Sequence, residues 1–192
     1  TGETAESGDD TAAESDGGAA STGGKVLSVQ IGPNPETLDP ALNSAVDGGN
    51  MILHTFECLL TVDEEGKLAP GQAESWEVSE DGLTWTFHLR DGLKWSDGSD
   101  LTANDFVYSW QRVCDPNTAA PYAETVLSMV EGYDEAIAGD ITKLNVVAVD
   151  DTTLEVHLTS ACSYFGSLAA FATLSPVQQA TIEANGDAWA VD

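Results

Sequence analysis

Residues 73–122 read AESWEVSEDGLTWTFHLRDGLKWSDGSDLTANDFVYSWQRVCDPNTAAPY, and this stretch decides the fold class. Trp76 and Val78 alternate with Glu77 and Ser79 before the turn signal Glu80-Asp81-Gly82. Leu83, Trp85, Phe87 and Leu89 then alternate with Thr84, Thr86, His88 and Arg90. A period of two with one apolar face is the pattern of an antiparallel hairpin that buries one side. Ser96-Asp97-Gly98 marks a second turn. Thr102, followed three residues later by Asp105, predicts a capped helix start. Phe106, Val107, Trp110 and Cys114 recur at helical spacing, which predicts that one helix face packs on the hairpin. Asp115-Pro116-Asn117 ends the helix. Strands and helices interleave, so the expected class is α/β.

Outward from this stretch the signals continue. Val26–Ile31 has strand character, stopped by Gly32-Pro33-Asn34-Pro35, and 50–60 has the apolar density of a helix entering a short buried strand. A helix is predicted over 122–137, with Val126, Leu127, Val130 and Tyr133 on its inner side. Val147 and Val149, then Leu154, Val156 and Leu158, predict a second alternating hairpin around Asp150-Asp151-Thr152. A short helix is expected over 165–170, and another from Pro176, in the first-turn position that tolerates proline, to Asn185-Gly186. Residues 1–24 contain no apolar side chain larger than Ala and are expected to form a disordered acidic linker.

Charge narrows the function classes. The 192 residues carry 33 acidic and 6 basic side chains, a net charge of −27, which repels phosphate backbones and anionic lipid surfaces. No nucleic-acid partner is expected. Cys58, Cys114 and Cys162 form no CxxC pair; buried free thiols are the favoured reading, with one disulfide as the alternative. No nucleophile elbow, HExxH, P-loop or dinucleotide fingerprint occurs, so no catalytic residues are assigned. His54, His88 and His157 share no metal-ligand spacing, and Asp63-Glu64-Glu65-Gly66 reads as a solvated turn rather than a calcium loop. Neither a metal nor a cofactor is expected. Trp76, Trp85 and Trp110 fall on expected buried faces, which favours core packing over a carbohydrate platform; Trp95, beside a turn, stays open.

Four segments together carry a resemblance: Thr37-Leu38-Asp39-Pro40, the string AESWEVSEDGLTWTFHLRDGLKWSDGSDLTANDFVYSWQR, then DPNTAAPY, then LSPVQQATIEANGDAW. In collinear order over 25–189 they resemble the extracellular solute-binding proteins of family 5, and within them the oligopeptide-binding receptors of ABC importers. The resemblance implies a two-lobed, type II periplasmic-binding-protein-like clamshell with a small extra domain attached to lobe one. It implies that 25–56 are the first segment of lobe one, 57–172 the small extra domain and 173–192 the return into lobe one. Lobe two then lies outside the chain, as does the disulfide for which the family is known.

The implied function is capture of oligopeptides through their main chain and delivery to a membrane permease. The implied protein is extracytoplasmic and monomeric, either periplasmic or tethered by a lipidated cysteine preceding Thr1. Other solutes of the family (a dipeptide, nickel chelate, haem or oligosaccharide) are the alternative, and an acidic non-catalytic cell-surface domain is the bland one. By position, the resemblance implies that Ser44, Ala45 and Val46 bind peptide main chain in strand-like fashion. It also implies that Tyr122, closing DPNTAAPY, faces the ligand; the competing reading is a half-buried aromatic at a helix start.

Overall fold

The computed structural model describes residue 28 and residues 32–190. The expected linker over 1–24 lies outside these residues, and so does the expected strand over 26–31 apart from Ser28. Helix α1 spans Val46–Thr55, followed by the two-stranded hairpin β1 (Leu60–Val62) and β2 (Leu68–Pro70). Its connection is the Asp63–Gly66 turn, where the Asp63 carboxylate accepts the N–H groups of Glu65 at 3.0 Å and Lys67 at 2.8 Å. A four-stranded antiparallel sheet follows, built from β3 (Ala73–Val78), β4 (Thr84–Leu89), β5 (Val146–Asp150) and β6 (Thr153–His157) in the order β3-β4-β6-β5.

The two predicted hairpins therefore share one sheet, joined where β4 pairs with β6. Trp85 stands opposite Val156 and Phe87 opposite Leu154, all four buried. Such cross-strand pairs on one face are what hold an antiparallel sheet together. The other face carries Thr84, Thr86, His88, Thr153, Glu155 and His157, all half-buried, as the polar half of the alternation requires.

Helix α2 (Ala103–Cys114) opens on a capping box, with the Thr102 N–H donating to the Asp105 carboxylate at 2.7 Å. It lies mainly along β5 rather than on the first hairpin. Phe106 and Trp110 are fully buried, and Phe165 joins Trp110 to Trp85 through two edge-on contacts, at 6.3 Å and 5.6 Å. Edge-to-face geometry aligns ring hydrogens with the electron-rich face and stabilises the cluster beyond simple burial.

Several sequence expectations are corrected. On β3, Trp76 is only half-buried and Val78 is 43% exposed, because β3 is an edge strand that the helices do not cover. On β5 the buried residues are Val146 and partly Ala148, while Val147 and Val149 face out at 43% and 54% exposure. The run Val146-Val147-Ala148-Val149 is apolar on both faces, so alternation alone cannot choose the inner one; pairing of Val146 with Val156 does. The helix expected over 122–137 is two helices, α3 (Ala123–Leu127) and α4 (Tyr133–Ile137). Between them Val130 bridges Leu158 and the Glu131 N–H donates to the His157 carbonyl at 2.8 Å, so the sheet captures the backbone the helix would have used.

Helix α5 covers Phe165–Leu168, and the last helix, α6, spans Gln179–Asn185 instead of starting at Pro176. Residues 175–178 are held off helix by α2. The Ser109 hydroxyl accepts the Val177 N–H at 2.8 Å, and the Trp110 indole donates to the Leu174 carbonyl at 3.0 Å.

All three cysteines are buried free thiols. Burial pushes Cys58 up to about 11, against a lowering hydrogen bond to Ser175, and burial pushes Cys114 up to about 12. Both thiols keep their protons in the native state at pH values where the unfolded chain has lost them. This contribution to stability is complete below the ordinary thiol value of 9.0 and is lost as pH rises through about 11 for Cys58 and about 12 for Cys114. Native protein is therefore expected to leave Cys58 and Cys114 unmodified by iodoacetamide at pH 8, with both alkylated on denaturation. Mass spectrometry of the native digest decides it; rapid native labelling of either thiol contradicts the expectation.

Candidate ligand-binding groove

The segment between Thr37 and α1 is ordered by one buried carboxylate. Asp39 receives a bidentate ion pair from Arg112 of α2, Nη1 to Oδ1 at 3.0 Å and Nη2 to Oδ2 at 2.6 Å. The side chains of Arg112 and Asp39 are only 15% and 4% exposed. Oδ1 also accepts the Ala41 N–H at 2.9 Å, and Oδ2 the Trp189 indole N–H at 3.1 Å. The Arg112 guanidinium further lies 5.9 Å from the centroid of Trp189. The Asp39 carbonyl accepts from Leu42 at 3.1 Å and Asn43 at 3.0 Å, closing a turn.

Asn43 carries that order forward. Its side-chain amide donates to the Ala45 carbonyl at 3.0 Å, and its side-chain oxygen takes the Ala45 N–H at 3.4 Å. A side chain at Gly48 would sit 2.1 Å from that same oxygen, so glycine there makes room for the clasp. Ala45 is extended, with φ −113° and ψ 150°, and forms the N-terminal boundary of α1 without a side-chain cap.

Here the strand-like expectation is modified. Both backbone groups of Ala45 are engaged, its carbonyl also accepting from Gly49 at 2.9 Å. Val46 is the first helical residue rather than a strand residue. What the segment offers is Ser44 and the first-turn N–H groups of α1, which a helix cannot satisfy internally.

Ser44, Ala45, Val46 and Tyr122 nevertheless come together. All four line one groove of about 300 Å³, walled on its far side by residues 170–173. Tyr122 sits at the start of α3, half-buried, its ring edge-on to Phe171 at 5.5 Å. Its hydroxyl makes no hydrogen bond among the described residues. Val46 is 82% exposed, Leu53 60% and Phe171 40%, so the groove opens on an apolar rim. No charged side chain lines it among the described residues. Residues 170–173 were not legible as site residues, since an apolar run after a short helix carries no binding signal of its own.

A second, larger cleft of about 510 Å³ lies between Phe56, Trp95 and Trp189, with Gln72 and Glu57 in its wall. It contains none of the residues expected from sequence, and it places the open Trp95 at a cleft wall.

The α/β fold is of the type II periplasmic-binding-protein-like class. It superposes on Haemophilus influenzae OppA, solved in complex with RPPGFSPFR, with a TM-score of 0.79 at 44% identity, over 83% of this chain and 32% of that one. Residues 67–191 match the family described as "Bacterial extracellular solute-binding proteins, family 5 Middle". The chain belongs to family 5 of the bacterial extracellular solute-binding proteins. It is 47% identical over 161 residues to the periplasmic oligopeptide-binding protein OppA of Escherichia coli K12, covering 82% of this chain and 30% of that protein. It is 43% identical over 159 residues to the probable deoxycholate-binding periplasmic protein YgiS of the same organism, covering 81% and 30%. The chain thus spans about a third of the length of the curated relatives it matches.

Proposed function

We propose that this chain contributes the Ser44–Val46 and Tyr122 wall of an oligopeptide-binding cleft. The protein would be a non-enzymatic, extracytoplasmic receptor that delivers peptide to an ABC permease in the membrane. The observation that carries this reading is the convergence of Ser44, Ala45, Val46 and Tyr122 on one groove in a chain so similar to oligopeptide-binding proteins. First-turn N–H groups of α1 donate to peptide carbonyl oxygens, which every peptide presents, and this gives affinity without dictating sequence. The uncharged lining matters in a chain of net charge −27, because neither acidic nor basic side chains of a ligand are repelled at short range. In this reading residues 57–172 form the small extra domain and the flanking 25–56 and 173–192 belong to lobe one.

Tyr122→Ala in the full-length protein is expected to raise the dissociation constant for RPPGFSPFR about tenfold, the order of a truncated aromatic contact. The circular dichroism spectrum stays unchanged. Calorimetric titration reads the effect; an unaltered constant returns Tyr122 to a packing role against Phe171. A second reading, an amphipathic non-peptide solute, draws on the 43% identity to the probable deoxycholate-binding protein YgiS and on the apolar rim. Deoxycholate that binds the protein while RPPGFSPFR does not would favour it.

A further inference from the structure

We propose that Asp39 is the positioning residue of the groove, registering its Ser44–Val46 wall against its Tyr122 wall through Arg112. The proposal rests on the reading of the groove as a peptide site. Asp39 itself does not line the groove. It acts at the root of both walls. On one side its carboxylate takes the Ala41 N–H and its carbonyl takes Leu42 and Asn43, and Asn43 then clasps Ala45. On the other side its carboxylate grips Arg112, two residues before the end of α2.

From that helix end the chain reaches Tyr122 through a tight turn. The Asp115 carbonyl accepts Thr118 at 2.9 Å and Ala119 at 3.2 Å, and the Asp115 carboxylate accepts the Asn117 N–H at 2.8 Å. The Ser44–Val46 wall is thus tied to the ion pair by a short hydrogen-bonded relay, and the Tyr122 wall by a hydrogen-bonded turn that the chain then leaves towards Tyr122. A bidentate carboxylate–guanidinium pair fixes orientation as well as distance, which a single hydrogen bond or an apolar contact does not. The third partner, the Trp189 indole N–H, holds the carboxylate from the C-terminal side of the sequence. Productive binding needs main-chain groups held to within about half an ångström, and such precision comes from residues behind those that touch the ligand.

The test uses the full-length protein with three variants. Asp39→Asn keeps an acceptor for Ala41 but removes the charge that orients Arg112. Trp189→Phe removes the indole donor while keeping an aromatic ring beside Arg112, and it serves if Asp39→Asn does not fold. Val156→Ala is the control, loosening the sheet core away from the groove. Hydrogen exchange is followed by mass spectrometry well below the melting temperature, and RPPGFSPFR affinity by calorimetry. Asp39→Asn is expected to accelerate exchange over 42–48 at least tenfold more than in β4 and β6, and to weaken peptide binding about tenfold. Trp189→Phe gives the same pattern at smaller amplitude. Val156→Ala lowers the melting temperature and changes neither. Exchange over 42–48 that rises no more than in β4 and β6, or equal losses of affinity in Asp39→Asn and Val156→Ala, overturns the proposal. Wild-type protein that binds no peptide refutes the peptide reading instead, and the exchange pattern alone then decides whether Asp39 positions the segment.

Discussion

Asp39→Ala is expected to lower folding stability by about 3–5 kcal/mol, the cost of stranding one member of a buried ion pair. The arginine left behind is the reason. With its side chain only 15% exposed, Arg112 would keep its charge without the carboxylate that now accepts two of its N–H groups. The Ala41 N–H and the Trp189 indole would lose an acceptor in the same step. Arg112→Met in the Asp39→Ala background is expected to recover part of the loss, since an unpaired buried charge costs more than an apolar side chain in its place. Urea denaturation of the wild type and the two variants measures both effects. A loss below 1 kcal/mol for Asp39→Ala would mean that water reaches Arg112 and the pair is no anchor.

Gly132→Ala is the second substitution with a large expected effect, roughly 3 kcal/mol, from strain and overpacking acting together. Gly132 has φ +79°, a left-handed conformation that costs any side-chain-bearing residue about 1–2 kcal/mol. A methyl group there would also lie 1.8 Å from the Lys143 carbonyl oxygen, so the backbone itself must move. That movement is transmitted. Glu131, the preceding residue, donates its N–H to the His157 carbonyl and accepts the Asn145 N–H, at 2.8 Å each, at the end of the central sheet. Gly92→Ala is the matched comparison, with φ +72° but nothing within 4 Å of the added methyl. It should lose only the conformational part, about 1–2 kcal/mol. Equal losses at the two positions, read from denaturant midpoints, would remove the steric clash from the account.

These two residues illustrate how unevenly the chain reveals itself. Gly132 was invisible inside an apparent helix, because Val126, Leu127, Val130 and Tyr133 are all buried and their spacing fits one helix as well as two. Only the competing bridge from Val130 to Leu158 breaks it. Asp39 was legible as part of a family motif, but its role was not. Its partner Arg112 stands on the far end of a helix, 73 residues away in sequence. The groove shows the same division. Resemblance points to Tyr122 and Ser44–Val46, while residues 170–173, which complete the groove, carry no pattern that separates a groove wall from ordinary core.

What the sequence determined by itself is local. The Trp85-Phe87-Leu89 alternation, the Thr102–Asp105 capping box and the Asp-Gly turns each act over a few residues, through side-chain periodicity and backbone hydrogen bonding, and the folded chain keeps them. What only the tertiary structure decided is which faces and ends meet. Val147 faces out because Val146 pairs with Val156; Pro176 stays off helix because Ser109 holds Val177; Ala45 and Tyr122 line one groove, and Asp39 meets Arg112 across 73 residues of sequence. Those outcomes depend on packing and charge pairing between residues remote in sequence, which periodicity along the chain does not encode.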